Sequence, residues 1–240
     1  MNIAVILSGG TGSRSGAACP KQYVEVNGMP MVCFCMETLF HHEKIDAVQI
    51  VADSGWREYI SGHISRIEGQ RGALKKFRGF SEPGANRQMS IYHALTDIMT
   101  YAGEDDTVLI HDAARPFVKG SQISRCFADM IGHDGVIPVL PMKDTVYLSD
   151  GKRICSLLDR ERIYAGQAPE IFVLGKYYEA NRALLPDRIL AVNGSTEPAV
   201  TAGMDICLSE GDEGNFKVTT AEDVERFKKI AANFRDEDVE

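Results

Sequence analysis

Short, almost entirely apolar runs recur along the chain and alternate with longer amphipathic stretches. The apolar runs NIAVIL, IDAVQIVA, TVLIH and GVIPVL occupy residues 2–7, 45–52, 107–111 and 135–140. Strands that are buried on both faces of a sheet show such continuous hydrophobicity. The pattern therefore predicts four strands in the interior of a sheet.

Amphipathic stretches separate these runs and predict helices at 30–42, 55–67, 86–99 and 121–131. Pro30 suits a first helical turn, and the hydroxyl of Ser121 can cap the fourth of these helices. Alternating strands and helices are typical of a mostly parallel, twisted sheet with helices on both faces. We therefore predict a Rossmann-like α/β fold.

The alternation is interrupted at 144–158, where two short strand patterns flank a tight turn at Asp150-Gly151. A hairpin inside an α/β chain is either an addition to the sheet edge or an arm that reaches a partner. The chain continues with a predicted helix at about 174–184. Thr220 can cap a last helix, which has two acidic residues in its first turn.

Size and charge narrow the possible functions. The 240 residues, 44% of them hydrophobic and 25% charged, suit one globular domain over 1–240, with the hairpin as an arm at about 141–160. A formal net charge of −8 argues against nucleic-acid binding, which requires a basic face. A local cluster of cations is still compatible with binding one nucleotide.

The cysteines and the apolar runs indicate a cellular location. No CxxC pair occurs, and we interpret the six cysteines as reduced thiols in or near the core. The amino terminus lacks the pattern of a signal peptide, and no apolar run reaches the roughly 18 residues of a membrane span. We expect a cytoplasmic protein that does not bind a membrane.

The first predicted strand runs into a glycine-rich segment, Ser8-Gly9-Gly10-Thr11-Gly12-Ser13-Arg14, followed by Pro20-Lys21-Gln22. Its spacing fits neither the dinucleotide-binding pattern G-x-G-x-x-G nor the P-loop pattern. The backbone N–H groups of such a loop can nonetheless surround an oligophosphate. Glycines after a first strand often serve packing alone, but the two cations at Arg14 and Lys21 favour a phosphate site.

Asp112 follows another predicted strand, in the segment IHDAARPF. It is expected at the carboxyl edge of the sheet, where open α/β folds bind ligands, and could hold Mg²⁺ or a ribose hydroxyl. Equally, Asp112 and Arg115 could form an ion pair that only shapes the turn. His111 and Ala114 are interpreted as packing residues.

Two further segments are candidates for ligand contacts. In PGANRQMS, Gly84 and Ala85 allow a ligand to approach the backbone, Arg87 could reach a phosphate or base, and Ser90 lies one turn on. An ordinary helix start is the commoner meaning of such a segment. Lys217 precedes the last helix, where a lone lysine is usually solvated.

Metal and nucleophile motifs are missing from the sequence. The six histidines lack the spacing of a metal site, and neither a G-x-S-x-G motif nor a Cys/His nucleophile stands out. The chemistry that remains is positioning and charge stabilisation, which is what phosphoryl or nucleotidyl transfer requires.

Taken together, GGTGSR…PKQY, GANRQMSI, HDAARPF, KDTV, DR and NFKVTTAEDV resemble, in order and spacing, the cytidylyltransferases that act on sugar-alcohol phosphates. That family includes the 2-C-methyl-D-erythritol 4-phosphate and ribitol 5-phosphate enzymes. The resemblance covers roughly residues 3–230. It implies Mg²⁺-dependent transfer of a cytidylyl group from CTP to a polyol phosphate, and a homodimer held by the arm.

The resemblance also implies roles for individual residues. The transition state would be stabilised by Arg14, Lys21 and Lys217. The nucleotide would contact Leu7, Ser8, Gly9, Gly10, Thr11, Gly12, Gly84, Arg87, Ser90, Asp112 and Ala113. Gly84 and Ser90 would lie near the cytosine, and Asp112 near the ribose and Mg²⁺. The acceptor would contact Arg115, Thr145, Arg160 and Thr196, with Thr145 and Arg160 holding its phosphate across the dimer interface.

On the acceptor side the chain departs from the family pattern. Ala168 stands where the family usually has threonine, and Thr196-Glu197-Pro198-Ala199 stands for Thr-Asp-Glu-Ala. CTP is therefore predicted more firmly than the acceptor, which stays open between the two polyol phosphates and a third.

Two other interpretations stay open. The chain could be a nucleotidyltransferase for another sugar phosphate or nucleoside triphosphate, or a nucleotide-binding regulatory module without turnover. Cations on both sides of the α-phosphate argue for an enzyme.

Overall fold

The computed structural model describes residues 1–10, 19–69 and 75–234. Its strands are β1 (Asn2–Leu7), β2 (Glu25–Val26), β3 (Met29–Pro30), β4 (Ala47–Val51), β5 (Phe77–Ser81), β6 (Thr107–Asp112), β7 (Gly135–Pro141), β8 (Val146–Ser149), β9 (Ile154–Leu158), β10 (Tyr164–Gly166), β11 (Glu170–Val173) and β12 (Ile206–Glu210). Its α-helices are α1 (Met31–His41), α2 (Ser54–Gly69), α3 (Arg87–Ile98), α4 (Gly120–Asp129), α5 (Leu174–Arg182), α6 (Glu197–Thr201) and α7 (Ala221–Ala231). Short 3₁₀ turns lie at Lys21–Tyr23, Arg160–Arg162 and Arg188–Ala191.

The main sheet has eight strands, and β1 and β6 lie in its interior. The strand order is β10-β7-β11-β6-β1-β4-β5, and β12 pairs with β7. Strands β6, β1, β4 and β5 are parallel neighbours, β12 is parallel to β7, and β10 and β11 run antiparallel to their partners. The predicted Rossmann-like, mostly parallel sheet is confirmed.

Helices cover both faces of this sheet, as the continuous hydrophobicity of β1 requires. Ala4 and Ile6 belong to a buried cluster with residues of α1, α2 and α4. Ile3 and Val5 point to the other face, in a cluster with residues of α3 and α5. Because successive strand side chains alternate between faces, a strand that is covered twice must be apolar throughout.

The four predicted strands and the four predicted helices are confirmed within a few residues, with two corrections at helix starts. Ser121 does not cap α4: the Lys119 carbonyl accepts the first helical hydrogen bonds, so Ser121 lies inside the first turn. Pro30 is the N-cap of α1, one residue before the observed first turn, in which it was predicted to lie. At α7 the predicted cap is confirmed as a capping box between Thr220 and Asp223.

The predicted hairpin is confirmed as β8 and β9, which pair with each other in a two-stranded sheet of their own. We call this hairpin the arm. All six cysteines are free, and Cys33 and Cys35 are buried in α1. Within the described ranges, none of the helices combines the length and the apolar character that crossing a membrane demands.

Candidate active site

Three parallel strands end side by side and create the site. Leu7, the last residue of β1, is in register with Val51 of β4 and with Asp112 of β6. The glycine segment follows Leu7 directly, and the start of α3 lies at the same edge. The site therefore occupies the carboxyl edge of the sheet, as expected for an open α/β fold.

A buried glutamine holds the start of the glycine segment. The Gln22 side chain is 4% exposed and donates hydrogen bonds to the carbonyl oxygens of Ser8 (2.8 Å) and Gly10 (2.6 Å). The hydroxyl of Tyr23 donates to the same Ser8 oxygen at 3.0 Å. Ser8 itself is buried, and its hydroxyl donates to the Tyr23 hydroxyl at 3.1 Å. Its predicted contact with a nucleotide stays a prediction.

Two glycines allow a close approach between segments around the site. A Cβ atom at Gly9 would lie 2.7 Å from the Pro83 Cβ, and one at Gly84 would lie 2.5 Å from the Met89 Cβ. A side chain at Gly9 would push Pro83 away, and one at Gly84 would push Met89 away. At these two positions, packing is part of what the glycines provide.

The start of α3 is fixed by its cap. The Asn86 Oδ1 accepts a hydrogen bond from the Met89 N–H at 2.8 Å, and Asn86 Nδ2 donates to the carbonyls of Ile189 (3.0 Å) and Leu190 (3.1 Å). Ser90 accepts a hydrogen bond from the Gly84 N–H at 2.9 Å. These contacts tie the helix start to its surroundings and fix the backbone from which Arg87 extends.

Asp112 is the centre of the charged groups. It is 8% exposed, and its Oδ1 lies 2.9 Å from Arg87 Nε while its Oδ2 lies 2.8 Å from Lys217 Nζ. Burial opposes ionisation of this carboxyl, but the charges of Arg87 and Lys217 outweigh it and hold the Asp112 pKa well below its usual range. The carboxylate is therefore ionised at neutral pH.

Two interpretations from the sequence are corrected here. Arg115 does not form the expected ion pair with Asp112; its Nη1 donates to the Asn215 carbonyl at 2.7 Å, and only its backbone N–H contacts the Asp112 carbonyl. Lys217 is exposed to solvent but is not a lone lysine, because its ammonium is paired with Asp112.

A second lysine reaches the same place from a different part of the chain. Lys21 Nζ donates to the carbonyl of Val218 at 2.6 Å, so it lies beside the segment that carries Lys217. Lys21 and Lys217 both line the cavity described next. The two predicted catalytic lysines are thus brought together.

Two cavities adjoin at the charged groups. The first, of about 360 Å³, is lined by Leu7, Gly9, Gly10, Lys21, Gln22, Val51, Gly84, Ala85, Asn86, Arg87, Ser90, Asp112, Ala113, Ala114 and Lys217. The second, of about 500 Å³, is lined by Arg87, Asp112, Arg115, Ile137, Val139, Arg162, Tyr164, Gly166, Gln167, Ala168, Glu170, Asn193, Gly194, Ser195, Thr196, Leu208 and Lys217. Their walls share Arg87, Asp112 and Lys217. We call them the first and the second cavity.

Most predicted site residues line one of these cavities. The first holds the predicted nucleotide contacts except Ser8, Thr11 and Gly12, and the second holds the predicted acceptor contacts Arg115 and Thr196. Thr11, Gly12 and Arg14 lie outside the described residues.

The other two predicted acceptor contacts lie elsewhere. Thr145 and Arg160 are exposed at the base of the arm and line neither cavity, and Arg160 Nη1 donates to the Lys143 carbonyl at 3.3 Å. Their predicted contact with an acceptor across a dimer interface stays a prediction.

Three residues of the site were not identified from the sequence alone. Gln22 directly follows Lys21, and Asn86 is a favoured N-cap residue before a helical pattern, so both had a local signal. Glu170 starts β11 and lines the second cavity, but a lone glutamate beside a proline carries no signal of this kind.

The fold and the site together define the class of protein to which this chain belongs. A nucleotide-sized cavity at the carboxyl edge of an α/β sheet adjoins a second cavity, with cations at their junction, which is the arrangement of a group-transfer enzyme for nucleotides. The family model described as IspD, 2-C-methyl-D-erythritol 4-phosphate cytidylyltransferase, matches residues 2–232, and the chain belongs to this family. It is a nucleotidyltransferase of the cytidylyltransferase type.

Individual relatives cover nearly the whole chain. A ribitol-5-phosphate cytidylyltransferase of Streptococcus agalactiae serotype III is 30% identical over 96% of this chain and 95% of its own length. A 2-C-methyl-D-erythritol 4-phosphate cytidylyltransferase of Geobacter metallireducens is also 30% identical, over 92% and 93%. The crystal structure of 4-diphosphocytidyl-2C-methyl-D-erythritol synthase from Anaerococcus prevotii has the same fold, with a TM-score of 0.78, 20% identity and 96% of each chain covered.

Proposed function

We propose that the protein transfers the cytidylyl group of CTP to a polyol phosphate, either 2-C-methyl-D-erythritol 4-phosphate or D-ribitol 5-phosphate. The products are the CDP-polyol and diphosphate. One observation carries this proposal: two cavities meet at Arg87, Asp112 and Lys217, with Lys21 on the same wall. A donor in one cavity and an acceptor in the other would meet at fixed positive charges.

CTP suits the first cavity. The backbone at Gly9 and Gly10, the start of the twelve-residue helix α3 and two lysines all favour phosphate groups. Gly84 and Ser90 line the wall on which we expect the cytosine. Asp112 lies at the junction with the second cavity, where it can accept a hydrogen bond from a ribose hydroxyl.

The second cavity suits the acceptor, whose phosphate would lie at the junction. A phosphate oxygen of the acceptor attacks the α-phosphorus of CTP and forms a new P–O bond. The bond from the α-phosphorus to the oxygen that bridges it to the β-phosphorus breaks, and diphosphate leaves with that electron pair. Negative charge therefore grows on the equatorial and leaving oxygens, where fixed cations act most strongly.

Lys21 and Lys217 are the described cations for this task, and Arg14 joins them by the resemblance. Asp112 is a positioning group for Lys217, because its carboxylate holds the ammonium at 2.8 Å. A carboxylate that stays ionised keeps both Lys217 and Arg87 in place throughout the neutral pH range.

We propose Mg²⁺ as the cofactor, brought by the triphosphate. The described residues contain no group of three acidic, histidine or cysteine side chains able to hold a metal ion. Asp112 is the one predicted protein ligand, and both of its oxygens already contact cations. A nucleotide-bound Mg²⁺ fits this site better than a protein cage, since Mg²⁺ usually keeps several waters and binds through one or two carboxylates plus substrate phosphates. When bound, the ion neutralises phosphate charge.

We also propose a homodimer formed through the arm. A two-stranded hairpin on its own is marginally stable in water, and this one exposes apolar side chains on both strands, including Ile154 and Leu157, each 65% exposed. A partner subunit would cover them. It would also bring Thr145 and Arg160 near the second cavity of the neighbour, where they could hold the acceptor phosphate. The cytoplasmic location stays a prediction.

The choice of acceptor stays open. Relatives named for ribitol 5-phosphate and for 2-C-methyl-D-erythritol 4-phosphate are equally identical to the chain, at 30%. Ala168 and Thr196, which carry or adjoin the departures from the family pattern, both line the second cavity.

The test is diphosphate release from purified protein with Mg²⁺. CTP, UTP, ATP and GTP are compared at a fixed acceptor, and four- to six-carbon polyol phosphates are then compared with CTP. We expect release only when CTP and a polyol phosphate are both present. Preference for another nucleotide would favour a different nucleotidyltransferase, and binding of CTP without release under any combination would favour the regulatory module.

A further inference from the structure

A half-buried glutamate in the wall of the second cavity has no role in the mechanism above. Glu170 begins β11, where it is in register with Ile110 of β6, two residues before Asp112. Its side chain lines the second cavity. Among the described residues, its Oε2 has no hydrogen-bond partner although solvent does not reach it. An unpaired carboxylate oxygen in a protein interior is costly, so its place in a ligand cavity requires explanation.

The surroundings of Glu170 do not remove this cost. Burial raises the Glu170 pKa, while the charge of Arg87 and a hydrogen bond from Ser195 partly offset that rise. Asp112 adds a like charge nearby. The Glu170 carboxyl therefore has an oxygen that would be stabilised by a hydrogen bond from any donor that enters the cavity.

Arg115, on the same cavity wall, has the opposite need, because it has a hydrogen-bond donor without an acceptor. Its Nε–H is buried and has no acceptor among the described residues, although Nη1 is bonded to Asn215. Arg115 and Glu170 influence each other's pKa through their charges, yet the described ion pairs include no direct contact between them. One cavity thus holds an unpaired buried acceptor and an unpaired buried donor in the same neighbourhood.

A hydroxyl group offers what each of these two residues lacks, a donor for Glu170 and an acceptor for Arg115. It donates one hydrogen bond and accepts others, so it can donate to Glu170 Oε2 and accept from Arg115 Nε. A fully ionised phosphate cannot do this, because it has no hydrogen to donate to Glu170 Oε2. The charge pattern therefore orients a polyol phosphate with its phosphate toward Lys217 and its hydroxyls toward Glu170.

We propose that Glu170 is a specificity-determining residue that accepts a hydrogen bond from a hydroxyl of the acceptor, with Arg115 donating to the same end of the molecule. This inference rests on the proposed function and adds to it: the second cavity selects a phosphate ester with free hydroxyls over a plain alkyl phosphate. Hydrogen bonds to charged groups contribute enough to discriminate strongly between two such ligands.

The test compares polyol phosphates with an alkyl phosphate in Glu170→Leu and Glu170→Gln. KM is measured for D-ribitol 5-phosphate and 2-C-methyl-D-erythritol 4-phosphate, and Ki is measured for n-pentyl phosphate, which has no free hydroxyl. We expect Glu170→Leu to raise the KM of the polyol phosphate about tenfold to a hundredfold. The Ki of pentyl phosphate and the KM of CTP should change less than about twofold, because neither ligand uses the Glu170 carboxylate.

Glu170→Gln keeps the shape and one acceptor oxygen, so it covers the case in which the leucine variant fails to fold. We expect it to raise the polyol phosphate KM by a smaller factor, again without changing the Ki of pentyl phosphate. Glu210→Leu serves as the matched control, since Glu210 is exposed, is paired with Arg125 and does not itself line this cavity.

The outcomes separate this inference from the function on which it rests. Normal turnover with an unchanged polyol KM in both Glu170 variants, or equal changes for polyol and pentyl phosphates, would overturn the inference alone. A wild-type protein that releases no diphosphate with either polyol phosphate would overturn the proposed function and the inference together.

Discussion

Lys217 Nζ lies 2.8 Å from Asp112 Oδ2, although the two residues belong to distant parts of the chain. Asp112 ends the buried strand β6, and Lys217 lies in the segment just before α7. Their contact joins the carboxyl edge of the sheet to the carboxyl-terminal segment, at the junction of the two cavities. The proposed chemistry depends on this junction. Substitutions of Lys217 and of Asp112 both test it.

Replacing either lysine should reduce turnover and leave the fold intact. We expect Lys21→Ala and Lys217→Ala each to lower kcat about a hundredfold to a thousandfold, because each removes a charge that faces the transition state. The measurement is steady-state diphosphate release, with circular dichroism to check folding. Lys176→Ala is the control, because Lys176 is exposed and paired with Asp134. Normal kcat in both site variants would contradict their role.

Asp112→Asn should destabilise the protein in a pH-dependent way. The folded-state pKa of Asp112 is depressed, so its ionised form stabilises the fold above the unfolded value of about 3.9 and this contribution is lost as the pH falls toward the folded value. We expect a loss of about 1–3 kcal/mol at pH 7, less than for a fully buried pair because Arg87 and Lys217 are about a third exposed.

Urea unfolding between pH 7 and pH 3 measures this effect. The difference between wild type and Asp112→Asn should stay constant down to about pH 4 and shrink below it. Asp129→Asn, at an exposed position in α4, should show no such difference. A stability gap that grows as the pH falls would contradict the assignment of the ion pairs.

Glu170→Gln should make the protein more stable at pH 7 while it weakens acceptor binding. The folded-state pKa of Glu170 is raised, so protonation favours the fold at low pH and this advantage is lost as the pH rises through the folded value. At pH 7 the wild type therefore carries a cost that the neutral amide avoids. A higher Tm for the variant at pH 7, with a smaller gain at pH 4, is the expected result; a lower Tm at pH 7 would indicate that Glu170 is structural.

Gln22→Met should weaken the binding of CTP and leave the binding of the acceptor unchanged. The variant keeps the size of the side chain but removes the Gln22 donor from the Gly10 carbonyl and one of the two donors, Gln22 and Tyr23, from the Ser8 carbonyl. We expect a loss of about 1–3 kcal/mol in stability and a severalfold rise in the KM of CTP. The acceptor KM, measured at saturating CTP, is the internal control and should not change. An equal rise in both KM values would show that the effect is not confined to the glycine segment.

The arm should determine the oligomeric state. We expect Ile154→Asp and Leu157→Asp to convert a dimer into monomers, because a buried charge at a subunit interface lacks a partner. Sedimentation velocity measures the state directly. Ile131→Asp is the control, since Ile131 is 80% exposed and lies just after α4, outside the arm. A wild-type monomer, or dimers in all three variants, would contradict the proposed interface.

The interior of the fold could be predicted because its strands are buried on both faces. Strand β1 was predicted with its observed ends, 2–7. The strands β5 and β12 were not predicted: both lie at edges of the sheet and mix polar with apolar residues, as in FRGFS and ICLSE. An edge strand needs only one covered side, so its sequence lacks the continuous apolar signal.

The candidate site could be predicted where residue type and local motif coincide, as for Lys21, Gly84 and Asp112. The ion-pair and hydrogen-bond partners of these residues could not be predicted, because they depend on which distant segments of the chain come together in the fold. Asp112 pairs with Arg87 and Lys217 instead of its near neighbour Arg115. Glu170 became visible only when β11 placed it beside β6 in the second cavity.

Following oxygen atoms through the reaction tests the central claim most directly. The protein is incubated with CTP, Mg²⁺ and a polyol phosphate whose phosphate carries ¹⁸O, and the products are examined by ³¹P NMR and mass spectrometry. Attack by the acceptor phosphate predicts that all the label stays in the CDP-polyol and that the released diphosphate contains none. Label in the diphosphate, or diphosphate formed without a CDP-polyol, would contradict cytidylyl transfer at the junction of the two cavities.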